Sequence, residues 1–208
     1  MPIDLLLVIN FWFDIFLFGL ICLPLTILIF NKFIDRGYIF SKILGILFVS
    51  YFILLFASLK ILPITKESIF FAIFLLAVIN WVIFQKYKLL NTIRQTLQLF
   101  VVEEVIFLIA LMFWSLIKGF DPSIHSLEKF MDFGIINSIL RADFMPPKDI
   151  WMAKESINYY YFGHFYAAVL TKFSGINPAV SYNLLLASLF GLCFAAAFSI
   201  GFNLKRSF

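Results

Sequence analysis

Three stretches of the chain gather side chains that could do chemistry. In the first, Asp121-Pro122-Ser123 precedes a helical pattern, and Asp or Ser in that place reads as a helix start. From Ser123 to Leu140 the spacing predicts an amphipathic helix. His125, Glu128 and Asp132 fall on one face of it, beside an apolar stripe of Ile124, Leu127, Met131 and Ile135. Such a helix lies on a membrane surface with its acids facing a polar space. A carboxylate pair there suits a general base acting on an acceptor hydroxyl. It equally suits a divalent cation with oxygen ligands, Mg or Mn, at the Glu128/Asp132 face. The plainer alternative is that these charges are only the wet side of the helix.

The second stretch runs from Arg141 through Pro146-Pro147 and Asp149 to Trp151. The Pro pair ends the helix and stiffens an extended segment. Trp151 suits the membrane–water boundary. The forked donors of Arg141 could hold a phosphate, or the side chain could snorkel or pair with an acid. In the third stretch, Asn158-Tyr159-Tyr160-Tyr161-Phe162-Gly163-His164 stands at the mouth of an apolar run. Read as helix, the three Tyr point about 100° apart and cannot all face lipid. An interfacial aromatic belt accounts for one or two of them, but not for Asn158 and His164 beside them. Apart from these, Glu103-Glu104 interrupts an apolar run, and at least one of the two must lie inside the bilayer. Such an acid faces a cavity or pairs with a Lys, Arg or Tyr on a neighbouring helix. Asp14 raises the same question.

What must position these residues follows from composition. The chain has 208 residues, 63% hydrophobic and 13% charged, with a net charge of +4. Soluble domains carry about 45–50% apolar and about 25% charged residues, and a chain this short cannot hide the excess in one core. A bilayer can. The basic residues sit between apolar runs and form no patch for nucleic acid. Cys22 and Cys193 both lie in apolar runs and match no metal spacing.

Six runs approach the roughly 20 residues a spanning helix needs. They are Leu5–Phe30, Ile39–Leu59, Ser68–Phe84, Leu97–Ile117, Tyr159–Phe173 and Pro178–Asn203. The fifth is the least secure, because its length as a helix is only about 22 Å. The expected fold is all-α: a polytopic transmembrane helical bundle of about six spans with one long polar loop, 118–158. Residues 1–96 form an anchor of three spans, and 97–208 form the part that carries the loop. Lys32, Arg36, Lys86, Lys88, Arg94 and Lys172 put the first, third and fifth connections in the cytoplasm. The N-terminus and the loop then lie outside the plasma membrane. Lys205 and Arg206 argue against that scheme.

At these residues the sequence resembles the "YYY" family of polytopic membrane proteins. The resemblance rests on Asp121-Pro-Ser-Ile-His-Ser-Leu-Glu-Lys-Phe-Met-Asp132, on Arg141 with Phe144-Met-Pro-Pro-Lys-Asp-Ile-Trp151, and on Asn158-Tyr-Tyr-Tyr-Phe-Gly-His164. Arg36-Gly-Tyr-Ile-Phe-Ser-Lys-Ile-Leu-Gly45 and Leu62-Pro-Ile upstream fit as well. The layout is similar to that of GT-C type membrane glycosyltransferases, which take sugars from polyprenyl-phosphate carriers on the outer face. The resemblance implies that Asp121 or the Glu128/Asp132 pair is the base. It also implies that Arg141 and His164 sit near the donor phosphate and that the tyrosines line the site. His125, Asp149, Trp151 and Asn158 complete the candidate substrate contacts. Those enzymes are several times longer, so the expectation is an N-terminal portion of such a protein. Two rival readings remain. One is a transporter or channel with Asp14, Glu103 and Glu104 along its path. The other is a non-catalytic assembly subunit that holds a partner by the loop.

Overall fold

The computed structural model describes residues 2–206. Seven helices run in order among them: α1 (Pro2–Ile29), α2 (Tyr38–Ser58), α3 (Lys66–Tyr87), α4 (Leu90–Phe120), α5 (Leu127–Arg141), α6 (Phe162–Ser174) and α7 (Pro178–Arg206). Five of them, α1 to α4 and α7, are long and apolar enough to cross a membrane. Their outer faces carry large exposed apolar side chains, among them Phe74 and Trp81 on α3 and Ile109 and Phe113 on α4. Lipid covers such faces at no cost, whereas water would not. The all-helical polytopic bundle is therefore as the sequence predicts.

The number of crossings differs. The fifth apolar run forms only the 13-residue α6. At 1.5 Å per residue it is about 20 Å long, short of the hydrocarbon core of about 30 Å. Both ends of α6 meet the same side of the bundle. Near its start His164 touches Asp132 of α5, and near its end the Lys172 ammonium donates to the carbonyl of Ile64 in the α2–α3 connection. That connection also takes part in the loop side, since Ile64 N–H donates to Asp143 O at 2.8 Å. Near the head of α7, Asn183 Nδ2 donates to Pro122 O at 2.9 Å, just beyond the end of α4. At its other end, Asn203 Nδ2 donates to Asp35 Oδ2 at 2.7 Å, between α1 and α2. Among the described residues five helices, not six, are thus long and apolar enough to cross, and α6 stays with the loop side. Lys172 joins the loop side, and Lys205 joins the side of Lys32 and Lys86.

Two devices hold the N-terminal helices together. Pro24 has no N–H and crowds the carbonyl four residues back, so it opens the α1 ladder. Asn80 of α3 answers the break: its Oδ1 accepts from Leu25 N–H at 2.9 Å, while its Nδ2 donates to Leu76 O at 3.0 Å. Gly45 lets α2 lie against α1, because a Cβ there would collide with the carbonyl of Phe18.

Of the intramembrane acids, Glu104 finds partners of the kind anticipated, a Lys and a Tyr on a neighbouring helix. Lys42 of α2 is fully buried and lies 2.5 Å from Glu104 of α4. Glu104 also accepts from the Tyr38 hydroxyl at 2.5 Å and from Trp12 Nε1 at 2.7 Å. Glu103 accepts from Ile39 N–H at 3.1 Å and approaches Asp35. Asp35 in turn accepts from Ser199 Oγ at 2.6 Å. Four of the five crossing helices, α1, α2, α4 and α7, are therefore tied by one polar network. Asp14 is buried with the charge of Lys66 nearby.

Candidate functional site on the long loop

The helix on the loop begins at Leu127, not Ser123. Upstream, Asp121 accepts from the Ser123 hydroxyl at 2.5 Å, which competes with helix formation. That hydrogen bond holds the exposed Asp121 carboxyl below its ordinary range. His125 consequently lies outside α5 and does not share a helical face with Glu128 and Asp132. Its ring stands 6.0 Å from that of Phe130.

Within α5 the expected amphipathic pattern holds. Ile135, Ile136 and Ile139 are buried, Met131 and Phe133 are half-buried, and Glu128 is exposed. Of the other two members of the anticipated stripe, Ile124 precedes α5, and the side chain of Leu127 lies outside the described residues. The apolar side packs on α6 and α7, with the Phe133 ring edge-on to Tyr182 at 5.9 Å. This packing sets Asp132 against α6, where His164 Nε2 lies 2.9 Å from its Oδ1. The histidine side chain is 14% exposed and the aspartate 34%, so the pair sits at the rim of the packed region. A carboxylate can only accept, so Nε2 carries the proton of this contact.

The tyrosines are arranged differently from the helical reading. Helix α6 starts at Phe162, so Tyr159 and Tyr160 precede it and are not spread by helical rotation. Their rings stack at 4.0 Å, and the Tyr159 hydroxyl donates to that of Tyr160 at 2.6 Å. This hydrogen bond, together with the charges of Glu128 and Asp132, pushes the Tyr159 phenol above its ordinary value. Tyr161 is half-buried against the core, and burial raises its phenol too. Asn158 is exposed just upstream.

Arg141, Asp149 and Trp151 belong elsewhere. Arg141 is nine positions from Asp132, about half a turn round the helix, so the two leave opposite faces of α5. Its Nε donates to Asn137 O at 3.1 Å. The following segment folds back as a hairpin, with Lys148 bridged to Ser156 and Ile150 seated over Gly134. Asp149 Oδ1 accepts from Trp151 N–H at 2.8 Å and Met152 N–H at 2.9 Å, which holds its carboxyl below the ordinary range. Trp151 is exposed at the tip.

The candidate residues therefore divide. Glu128, Asp132, Tyr159, Tyr160 and His164 come together. Arg141 and Asp149 line a separate cavity of about 660 Å³. Asp121 and His125 stay on the linker. Tyr182, whose ring packs edge-on to Phe133 of α5 next to Asp132 in sequence, was missed, and its signal was only a polar Tyr182-Asn183 pair at the head of an apolar run. Among the described residues no group of three or more His, Cys, Asp and Glu side chains is placed to hold a metal ion. A divalent cation at Glu128 and Asp132 would need water or substrate oxygens to complete its shell.

No curated protein matches the chain, and no solved structure does. Residues 48–208, which include every member of the loop site, match the family model described as uncharacterized membrane protein (DUF2298), and the chain belongs to that family of membrane proteins.

Proposed function

We propose that the chain is a glycosyltransferase of the outer membrane face, or the N-terminal portion of one, that takes its sugar from a polyprenyl-phosphate carrier. In this reading residues 97–208 begin the catalytic core and the cluster of Lys and Arg at the α1–α2 and α3–α4 connections faces the cytoplasm. The observation that carries it is the Asp132–His164 contact of 2.9 Å at the rim of the loop, with Glu128 and the stacked tyrosines around it.

Transfer needs a group that removes a proton from the acceptor hydroxyl as its oxygen attacks the sugar carbon. The bond from that carbon to the carrier phosphate breaks, and the phosphate leaves with the electron pair. Asp132 suits the base: His164 engages Oδ1 and fixes the carboxylate, and Oδ2 can take the acceptor proton. Glu128, one turn away and exposed, is the second acid in reach of the same space. Tyr159 and Tyr160 supply a flat aromatic wall for a sugar ring. Asp121, tied to Ser123 on the linker, is the less suitable base.

The test is transfer of radiolabelled sugar from a polyprenyl-phosphate donor by the full-length protein. Asp132→Asn abolishes transfer while membrane insertion survives. Undiminished transfer in Asp132→Asn, Glu128→Gln and Asp121→Asn would overturn the reading. The transporter reading draws less support, since Glu103 and Glu104 are engaged by Ile39, Lys42, Tyr38 and Trp12.

A further inference from the structure

We propose that the cavity at the C-terminal end of α5 is a second site, one that takes a phosphate-bearing headgroup. It is about 660 Å³ in volume, and its charged lining residues are Arg141, Lys148, Asp143 and Asp149. Formally the two cations and two acids cancel, but one oxygen of Asp149 is already engaged. Asp149 spends Oδ1 on the amides of Trp151 and Met152. The cations are less committed. Arg141 uses Nε on Asn137 O, which leaves the terminal nitrogens of its fork. Lys148 lines the same cavity, and its backbone is held there: its carbonyl accepts from Ser138 Oγ at 2.5 Å, and it bridges to Ser156.

A forked guanidinium and a point-charge ammonium lining one cavity match a phosphate, which accepts from both. The apolar part of the lining favours a lipid as the source of that phosphate. Phe144 and Ile150 wall the cavity, and Trp151 and Met152 stand exposed at the hairpin tip beside it. The site is also independent of the proposed transfer chemistry, because Arg141 and Asp132 leave opposite faces of α5. A ligand held by Arg141 stays clear of the Asp132 carboxylate.

The experiment is calorimetric titration of the full-length protein in detergent micelles with dioctanoyl phosphatidic acid, dioctanoylglycerol and inorganic phosphate. Phosphatidic acid binds saturably and dioctanoylglycerol does not. Arg141→Gln and Lys148→Gln each weaken that binding roughly tenfold, the scale of one charged hydrogen bond. Asp132→Asn binds as the unaltered protein does, even where it loses transfer. Inorganic phosphate bound as tightly, with the same losses in both variants, supports the anion site and assigns it to a soluble source. Lys148→Arg keeps binding, which separates loss of charge from loss of fold. Two results overturn the proposal: no saturable binding of either phosphate compound, or Arg141→Gln and Lys148→Gln binding as tightly as the unaltered protein.

Discussion

His164 and Asp132 are 32 positions apart in the chain, and their side chains meet at 2.9 Å, joining α6 to α5. The contact fixes one oxygen of an acid at the rim of the packed loop. Because it links two helices, its removal is felt in stability as well as in chemistry. Asp132→Asn and His164→Ala each lower stability by about 1 kcal/mol, and the double variant costs clearly less than the sum. Denaturation midpoints of the four proteins in one detergent check this. Additive losses would mean that the pair does not couple.

Lys42 and Glu104 form the other decisive pair, inside the bundle. A buried pair broken from one side leaves an uncompensated charge, which costs about 3–5 kcal/mol. Lys42→Met therefore depletes the folded protein severely. Adding Glu104→Gln removes the stranded charge, keeps one oxygen to accept from Trp12 Nε1 and offers an amide N–H to the Tyr38 hydroxyl, so the double variant recovers most of the loss. Folded yield after extraction and the unfolding midpoint measure both effects. A double variant no better than Lys42→Met would contradict the pairing.

The bundle was legible in the sequence because lipid demands long uninterrupted apolar helices, and runs such as Leu97–Ile117 can satisfy their backbone in no other way. The partners of Glu104 were legible in kind, since a charge in that medium needs a counter-charge or a donor, whereas the Ile39 amide and Asp35 that meet Glu103 were not. Three features were not legible. Run length alone could not show that Tyr159–Phe173 starts late and turns back at Gly175, because Tyr159 and Tyr160 stack outside the helix. Helical spacing placed His125 beside Glu128, but the Asp121–Ser123 hydrogen bond delays the helix start. The meeting of Asp132 with His164, and the separation of Arg141 from both, come from how α5 packs on α6, which no local pattern encodes.

The opening in α1 at Pro24 yields a sharper test of packing. Asn80→Leu strands the Leu25 N–H in an apolar interior and removes the donor to Leu76 O, at a cost of about 1–3 kcal/mol. In a Pro24→Ala background the α1 ladder can close, Leu25 N–H can bond within its own helix, and the penalty of Asn80→Leu shrinks. Unfolding midpoints of the single and double variants decide it. An equal penalty in both backgrounds would show that Asn80 does not answer the proline.

Five crossings rather than six change which connections share a side. With α6 crossing, the turn at Asn177 would lie with Lys32, and Lys205 would lie with the loop at Ala153. With α6 beginning and ending on the loop side, Asn177 pairs with Ala153 and Lys205 with Lys32. All four positions are exposed. In a background where Cys22 and Cys193 are replaced by Ala, single substitutions Ala153→Cys, Asn177→Cys, Lys32→Cys and Lys205→Cys report the pairing directly. A membrane-impermeant maleimide applied to intact cells labels positions 153 and 177 together. It reaches positions 32 and 205 only after permeabilisation. Labelling of 177 together with 32 would restore the sixth crossing. The five-crossing arrangement also gathers Lys32, Lys86, Lys88, Arg94 and Lys205 on one side, which removes the conflict that the C-terminal basic residues create when six crossings are assumed.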